Sequence, residues 1–209
     1  MALLLSIGAF ALINLLAAMS PGPDFLVVSK NSLAYSRKIG IGTALGVGAG
    51  IFVHVTYSII GIGLIISKSI LLFSAIKLLG AVYLVYLGMR LIFSTSQKSA
   101  QDESHVLGST KTFFAALREG FFVNALNPKA SIFFVSLFSQ FFSPGTPTWL
   151  QALYGIEAAF VVGLWFVCLA VMLTHKPVKK RIERVQGPVM KLMGFALVLL
   201  GLKVALARQ

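Results

Sequence analysis

Met19-Ser20-Pro21-Gly22-Pro23-Asp24-Phe25 interrupts a long apolar run near the start of the chain. A continuous helix cannot pass through it. Pro21 and Pro23 lack amide protons and clash with the preceding turn, and Gly22 opens backbone angles that other residues avoid. An acid, Asp24, follows at once. Broken backbone at membrane depth is tolerated only where it is buried in protein or lines a water-filled cavity. An ionisable residue in such a place marks a functional site.

The surroundings make the membrane reading general. Of the 209 residues, 57% are hydrophobic and 11% are charged, against about 25% charged in a soluble domain. Mean hydropathy is +0.90. Six apolar runs follow one another at about 2–28, 39–66, 70–93, 112–142, 149–173 and 188–205, each long enough for a crossing of about 20 residues. The expected fold is therefore an all-α polytopic membrane protein with six transmembrane helices, the first and fourth broken by proline. It is a single transmembrane domain over 1–209 with no separate soluble module. Residues 94–111 are the one hydrophilic stretch and read as a flexible loop. A competing reading has the first run dip in and return, giving five spans.

The net charge of +12 does not point to nucleic acid, because the Lys and Arg residues fall in short loops between apolar runs. Loops one, three and five hold most of them; loops two and four hold Lys68 alone. The positive-inside rule puts the basic loops in the cytoplasm and both termini outside. No cleavable signal peptide is expected, since Met1-Ala2-Leu3 offers no basic start. Cys168, the single cysteine, reads as a small buried hydrophobe and excludes a dithiol electron carrier.

The halves resemble each other. Lys77-Leu78-Leu79-Gly80 and Leu87-Gly88-Met89-Arg90 in the third run match Lys191-Leu192-Met193-Gly194 and Leu200-Gly201-Leu202-Lys203 in the sixth. Pro23-Asp24 in the first run matches Pro128-Lys129 in the fourth. The second and fifth runs show no convincing match. Three spans per half invert one half relative to the other, so the expectation is two inverted three-helix repeats, about 1–93 and 112–209. Matched broken helices in such repeats point to a secondary transporter with its site at the repeat interface.

The breaks carry the candidate chemistry. Ser20 or Gly22 caps one half-helix and Asn127 the other, with Pro23 and Pro128 just inside. Free amides there favour an anion. Asp24 suits an ammonium group or a proton. Lys129 suits a carboxylate, or else pairs with Asp24 and only locks the halves together. Burying each charge costs about 2.5–3.5 kcal/mol, which argues against idle decoration. Glu157, about 12 Å into its span at helical rise, is a proton carrier or a second partner for Lys129. His54 is a satisfied interior histidine or a proton relay. Arg118 and Glu119 read as interfacial snorkelling residues. Gly42, Gly46 and Gly50 form a small-residue helix face that packs within the monomer or across a homodimer. His54, His105 and His175 lie in different segments, so no metal or hydrolytic motif emerges.

At this point a family resemblance becomes specific. MSPGPDFLVVS (19–29), SRKIG (36–40) and the glycine-rich second run resemble the LysE/RhtB superfamily of amino-acid exporters, and NALNPKASIFFVSLFSQF (124–141) resembles its second signature. Within that family the threonine efflux proteins are most similar. The resemblance implies export of small neutral amino acids such as threonine or homoserine from a bacterial cytoplasm. It implies proton antiport across the inner membrane, no cofactor and no enzymatic activity. Ser20, Pro21, Gly22, Pro23, Asp24, Asn124, Asn127, Pro128 and Lys129 are then the substrate-binding candidates. Asp24, Glu157 and His54 are the proton-coupling candidates. The alternatives are export of another small zwitterion, or a channel or ion carrier using the same broken helices; single polar residues rather than rings disfavour a channel.

The topology is open to a direct test. Single cysteines replacing Ser99, Gln186 and Thr146 in a Cys168→Ser background should label from the cytoplasm at the first two positions and from outside at the third. The reverse pattern removes the assigned orientation.

Overall fold

Polar side chains turn inward and apolar ones outward. Asn14, Asn31, Thr43, His54, Asn124 and Asn127 are buried, while Leu4, Leu79, Phe114, Trp149 and Phe160 are among the exposed large hydrophobics. In water this arrangement would expose large apolar patches; in a bilayer the lipid tails cover them. The computed structural model describes residues 2–68, 70–93, 111–143 and 145–175, with positions 188, 191, 194, 195, 197–199, 201, 202 and 205. Of the expected 94–111 loop only Lys111 is described, and the basic stretch 176–187 lies outside the described residues.

The described residues form seven helices: α1 (Ala2–Met19), α2 (Pro23–Ala34), α3 (Arg37–Lys68), α4 (Ile70–Phe93), α5 (Phe113–Ala125), α6 (Pro128–Phe141) and α7 (Thr148–Leu173). The described positions between 188 and 205 are helical too. Arg37–Gly61 of α3 and all of α7 are each long and apolar enough to cross a membrane. The pairs α1/α2 and α5/α6 pass the same test as broken units, bent by 62° and 58°. The described residues thus hold two to four candidate spans, where six were expected. Both breaks fall where the prolines place them. Pro23 and Pro128 occupy the first turns of α2 and α6, where a missing amide costs nothing.

Glycines set how closely the helices approach. Gly42, Gly46 and Gly50 of α3 all face α5 of the same chain, against Phe113, the Leu117–Phe121 backbone and Asn124 respectively. Gly120 returns the contact onto the Thr43 carbonyl. The second and fifth runs, unmatched in sequence, cross where a Cβ on Gly48 would lie 3.1 Å from the Gly163 Cα. A Cβ on Gly88 or Gly194 would lie 2.5 Å from the other's carbonyl oxygen, and one on Gly201 would meet the Ala81 carbonyl at 2.7 Å. Phe10 fills the space between α1, α6 and α7. Its ring stands edge-on to Phe141 and Tyr154, each 4.9 Å away between centroids, a geometry that adds about 0.5–1.5 kcal/mol per pair beyond burial.

Cys168 departs from expectation. It is exposed, in line with Phe160 and Leu164 on the outer side of α7. The buried face of that helix runs through Ala158, Ala159, Val162, Phe166 and Leu169, and helical periodicity leaves position 168 off it.

Because the atoms facing Gly46 are backbone, they cannot rotate away. Gly46→Ala should destabilise the purified protein by about 3 kcal/mol. Gly8→Ala, with nothing within 4 Å, should stay within about 0.5 kcal/mol of the parent. Equal thermal midpoints for the two variants would rule out tight α3–α5 contact.

Candidate functional site

The two breaks face each other, and each break's charged side chain reaches across to the opposite one. Asp24 Oδ2 accepts from Asn124 Nδ2 at 3.1 Å and from Asn127 Nδ2 at 3.0 Å. Lys129 Nζ donates to the Ser20 hydroxyl, to the Ser20 carbonyl at 3.3 Å and to the Pro21 carbonyl at 3.4 Å. The cation thus meets the carbonyl end of α1, the negative end of its dipole. A Cβ on Gly22 would stand 3.2 Å from Lys129 Nζ, so the glycine leaves room for that approach.

Local rules explain how these groups are presented. Asn127 caps α6, its Oδ1 accepting from the Lys129 amide at 3.0 Å. With its oxygen committed there, its Nδ2 is free to turn to Asp24. Gly22, rather than Ser20, is the N-cap of α2, and it supplies no side-chain cap. The Ser20 hydroxyl bonds back to the Ala17 carbonyl at 2.7 Å.

Asn124 connects the site to a histidine. A carbonyl only accepts, so His54 Nε2 donates its proton to the Asn124 carbonyl at 2.8 Å. In the neutral ring Nδ1 accepts from the Tyr57 hydroxyl at 2.6 Å. The imidazole stacks parallel on Phe134 at 5.8 Å and is fully buried. Both nitrogens are satisfied, and the side chain braces the residue that holds Asp24.

A cavity lies between the breaks. Ser20, Gly22, Asp24, Asn124, Asn127 and Lys129 line its polar side; Ala17, Ala18, Ile51, Phe133, Phe134, Val162 and Phe166 line its apolar side. The centre of a water-sized sphere can occupy about 40 Å³ of it, room for about three waters. Among the expected site residues, Pro23 and Pro128 are exposed and act as helix breakers, and Pro21 contributes its carbonyl. Glu157 does not line the cavity and does not reach Lys129; its carboxylate oxygens are buried with no hydrogen-bond partner among the described residues.

Two features escaped the sequence reading. Asn14, a polar residue inside the first apolar run, also lines the cavity. The signal for it was its polarity at membrane depth. The second is a cluster around Asn31, a buried residue whose Nδ2 donates to Glu119 at 2.6 Å and to Thr43 at 2.8 Å. Lys111 pairs with Glu119 and donates to Asn31 Oδ1 at 3.1 Å. Glu119, 34% exposed, is therefore anchored to Asn31 and Lys111. Arg118 is exposed. Among the described residues no three His, Cys, Asp or Glu side chains converge as a metal site.

Apolar-out helices around a charged cavity, with two broken helix pairs interlocked at its wall, define a helical membrane transporter. The chain belongs to the LysE type translocator family, whose model matches residues 15–208; it is a transporter and not an enzyme. It is 29% identical over 208 residues to the uncharacterized membrane protein YrhP of Bacillus subtilis (strain 168), covering 97% of this chain and 99% of that one. It is 31% identical over 180 residues to the threonine efflux protein of Escherichia coli (strain K12), covering 83% and 84%. It is 27% identical over 207 residues to the homoserine/homoserine lactone efflux protein of Salmonella typhimurium, covering 96% of each. No solved structure gives a significant match.

Asn127 performs two separable tasks. Asn127→Ala should lose the α6 cap, about 1 kcal/mol, and a charge-assisted bond to Asp24, about 1.5–3 kcal/mol. Asn127→Ser keeps a capping oxygen and should recover the first loss only. Thermal midpoints in the order parent, Ser, Ala are expected. Coincident midpoints for Ser and Ala would mean that the cap contributes nothing.

Proposed function

We propose that this chain is a secondary active exporter of small neutral amino acids of the threonine and homoserine type, working as a proton antiporter in a bacterial inner membrane. The observation that carries the reading is the crossed arrangement of Asp24 and Lys129 on one small cavity. A zwitterion presents one cation and one anion. Asp24 matches the ammonium; Lys129 and the uncapped first turn of α2 match the carboxylate. The names of the threonine and homoserine relatives agree with that match.

The site is held by its own cross-links. Asp24 leans on Asn124 and Asn127, and Lys129 on Ser20 and Pro21. A zwitterion bound between Asp24 and Lys129 has to displace these cross-links, so binding loosens the contact between the breaks. The substrate replaces the cross-links it displaces, which keeps the exchange nearly balanced and leaves the state of the breaks sensitive to what is bound. With substrate present the two protein charges are neutralised, which lowers the cost of crossing a low-dielectric middle. With substrate gone, Asp24 takes up a proton from the outer side and releases it inside, driving export by alternating access. His54 positions Asn124, and Glu157 is a subsidiary proton carrier.

The same reading includes six spans, two inverted repeats and both termini outside. Its support is the pairing of counterparts. The breaks cross-link each other, α3 crosses α7 at Gly48 and Gly163, and the Gly88–Gly194 contact is echoed by Gly201 on Ala81. A pseudo-two-fold axis generates such reciprocal contacts.

Uphill release of preloaded threonine, homoserine and leucine from vesicles under an imposed pH gradient tests the mechanism. Asp24→Asn and Lys129→Met should each abolish it while leaving membrane insertion intact. Asp24→Asn should keep some substrate exchange if its part is proton carriage alone. Near-normal uphill export by both variants would falsify the site and leave the two residues as an interlock.

A further inference from the structure

The cavity lining divides by chemistry. Its charged groups come from the breaks, while Ala17, Ala18, Phe133, Phe134 and Phe166 are apolar. Among the described lining residues, Asn14 is the one polar group outside the breaks. It is 1% exposed. Its Nδ2 donates to the Phe10 carbonyl at 2.9 Å within α1. A carbonyl requires a donor, so the amide's orientation is chemically determined and its Oδ1 is the end left over. That oxygen is buried and has no hydrogen-bond partner among the described residues.

A buried polar atom without a partner is rare enough to need an explanation. Asn124 Oδ1 also has no partner among the described residues, but a Cβ on Gly50 would lie 2.6 Å from it, so α3 stands against that oxygen. No described glycine crowds Asn14 in that way. Along α1, Asn14 lies six residues before Ser20, about 9 Å at helical rise.

We propose that Asn14 reads the substrate's side chain: its Oδ1 accepts a hydrogen bond from a hydroxyl on a short side chain, so that the site selects hydroxy-amino acids over alkyl ones of the same size. This rests on the amino-acid export reading above and adds a specificity-determining residue to it. The chemistry is one-directional. An acceptor with its donor end tied down welcomes O–H, gains nothing from a methyl group and is left unpartnered by it. A site with a buried group for a substrate hydroxyl rejects the analogue that lacks it far more strongly than a purely apolar pocket can.

Threonine and valine are nearly isosteric and differ by the hydroxyl, so their ratio isolates this contact. Counterflow of each is measured in vesicles containing the parent, Asn14→Leu, Asn14→Ala or Asn14→Asp. The parent should favour threonine by at least about tenfold. Asn14→Leu and Asn14→Ala should bring the ratio close to one, chiefly through weaker threonine uptake, and Asn14→Asp, which keeps an acceptor, should retain the preference. The ratio is independent of how much protein inserts, so poor expression of one variant does not obscure it, and either apolar variant suffices. An unchanged ratio in an apolar variant, or a parent with no preference, overturns the assignment of Asn14 and leaves the export reading standing. A parent that exchanges no amino acid at all overturns the export reading itself.

Discussion

The structure depends on two charged side chains that each reach into the other half of the chain. A proline break exposes backbone carbonyls at the end of one half-helix and amides at the start of the next. In lipid those groups have no water to turn to. Here the exposed polar groups of one break are met by side chains from the other, with Lys129 on the carbonyls of Ser20 and Pro21 and Asn127 between its own helix and Asp24. Neither break would be stable alone at membrane depth, and the halves must dock for both to exist.

That constraint organises the helices around the breaks. For α5 to bring Asn124 to Asp24 it must lie close to α3, and the glycines at 42, 46 and 50 allow it. α2 and α5 are stitched a second time where Asn31 meets Glu119 and Lys111, two helical turns beyond Asp24 on the same face of α2. α2 and α5 are thus tied to each other by two sets of polar contacts, while α3 packs by close backbone approach on α7 and on α5.

The cavity shows the same division. Its polar rim comes from the breaks, and its apolar wall comes largely from α6 and α7. Full burial of His54, with its Nε2 directed at a backbone carbonyl, places it behind the rim as a brace for Asn124.

Sequence alone settled whatever depends on neighbours a few residues apart. Pro23 and Pro128 determine where the first and fourth runs break, because a missing amide and a ring clash act within one turn. Asn127 was legible as a cap for the same reason, and a glycine at every fourth position reads as one helix face. The inward turn of Asp24 and Lys129 followed from the cost of exposing a charge to lipid. Partner choice was not legible. Asp24 meets Asn127 across 103 residues and Lys129 meets Ser20 across 109, and such pairings depend on how helices cross. For the same reason the partner of Glu119, Asn31, was not legible 88 residues away, and the lone polar Asn14 gained meaning only once a cavity stood beside it. Cys168 was misplaced because apolarity is shared by core and lipid, and only the packed face of α7 tells the two apart.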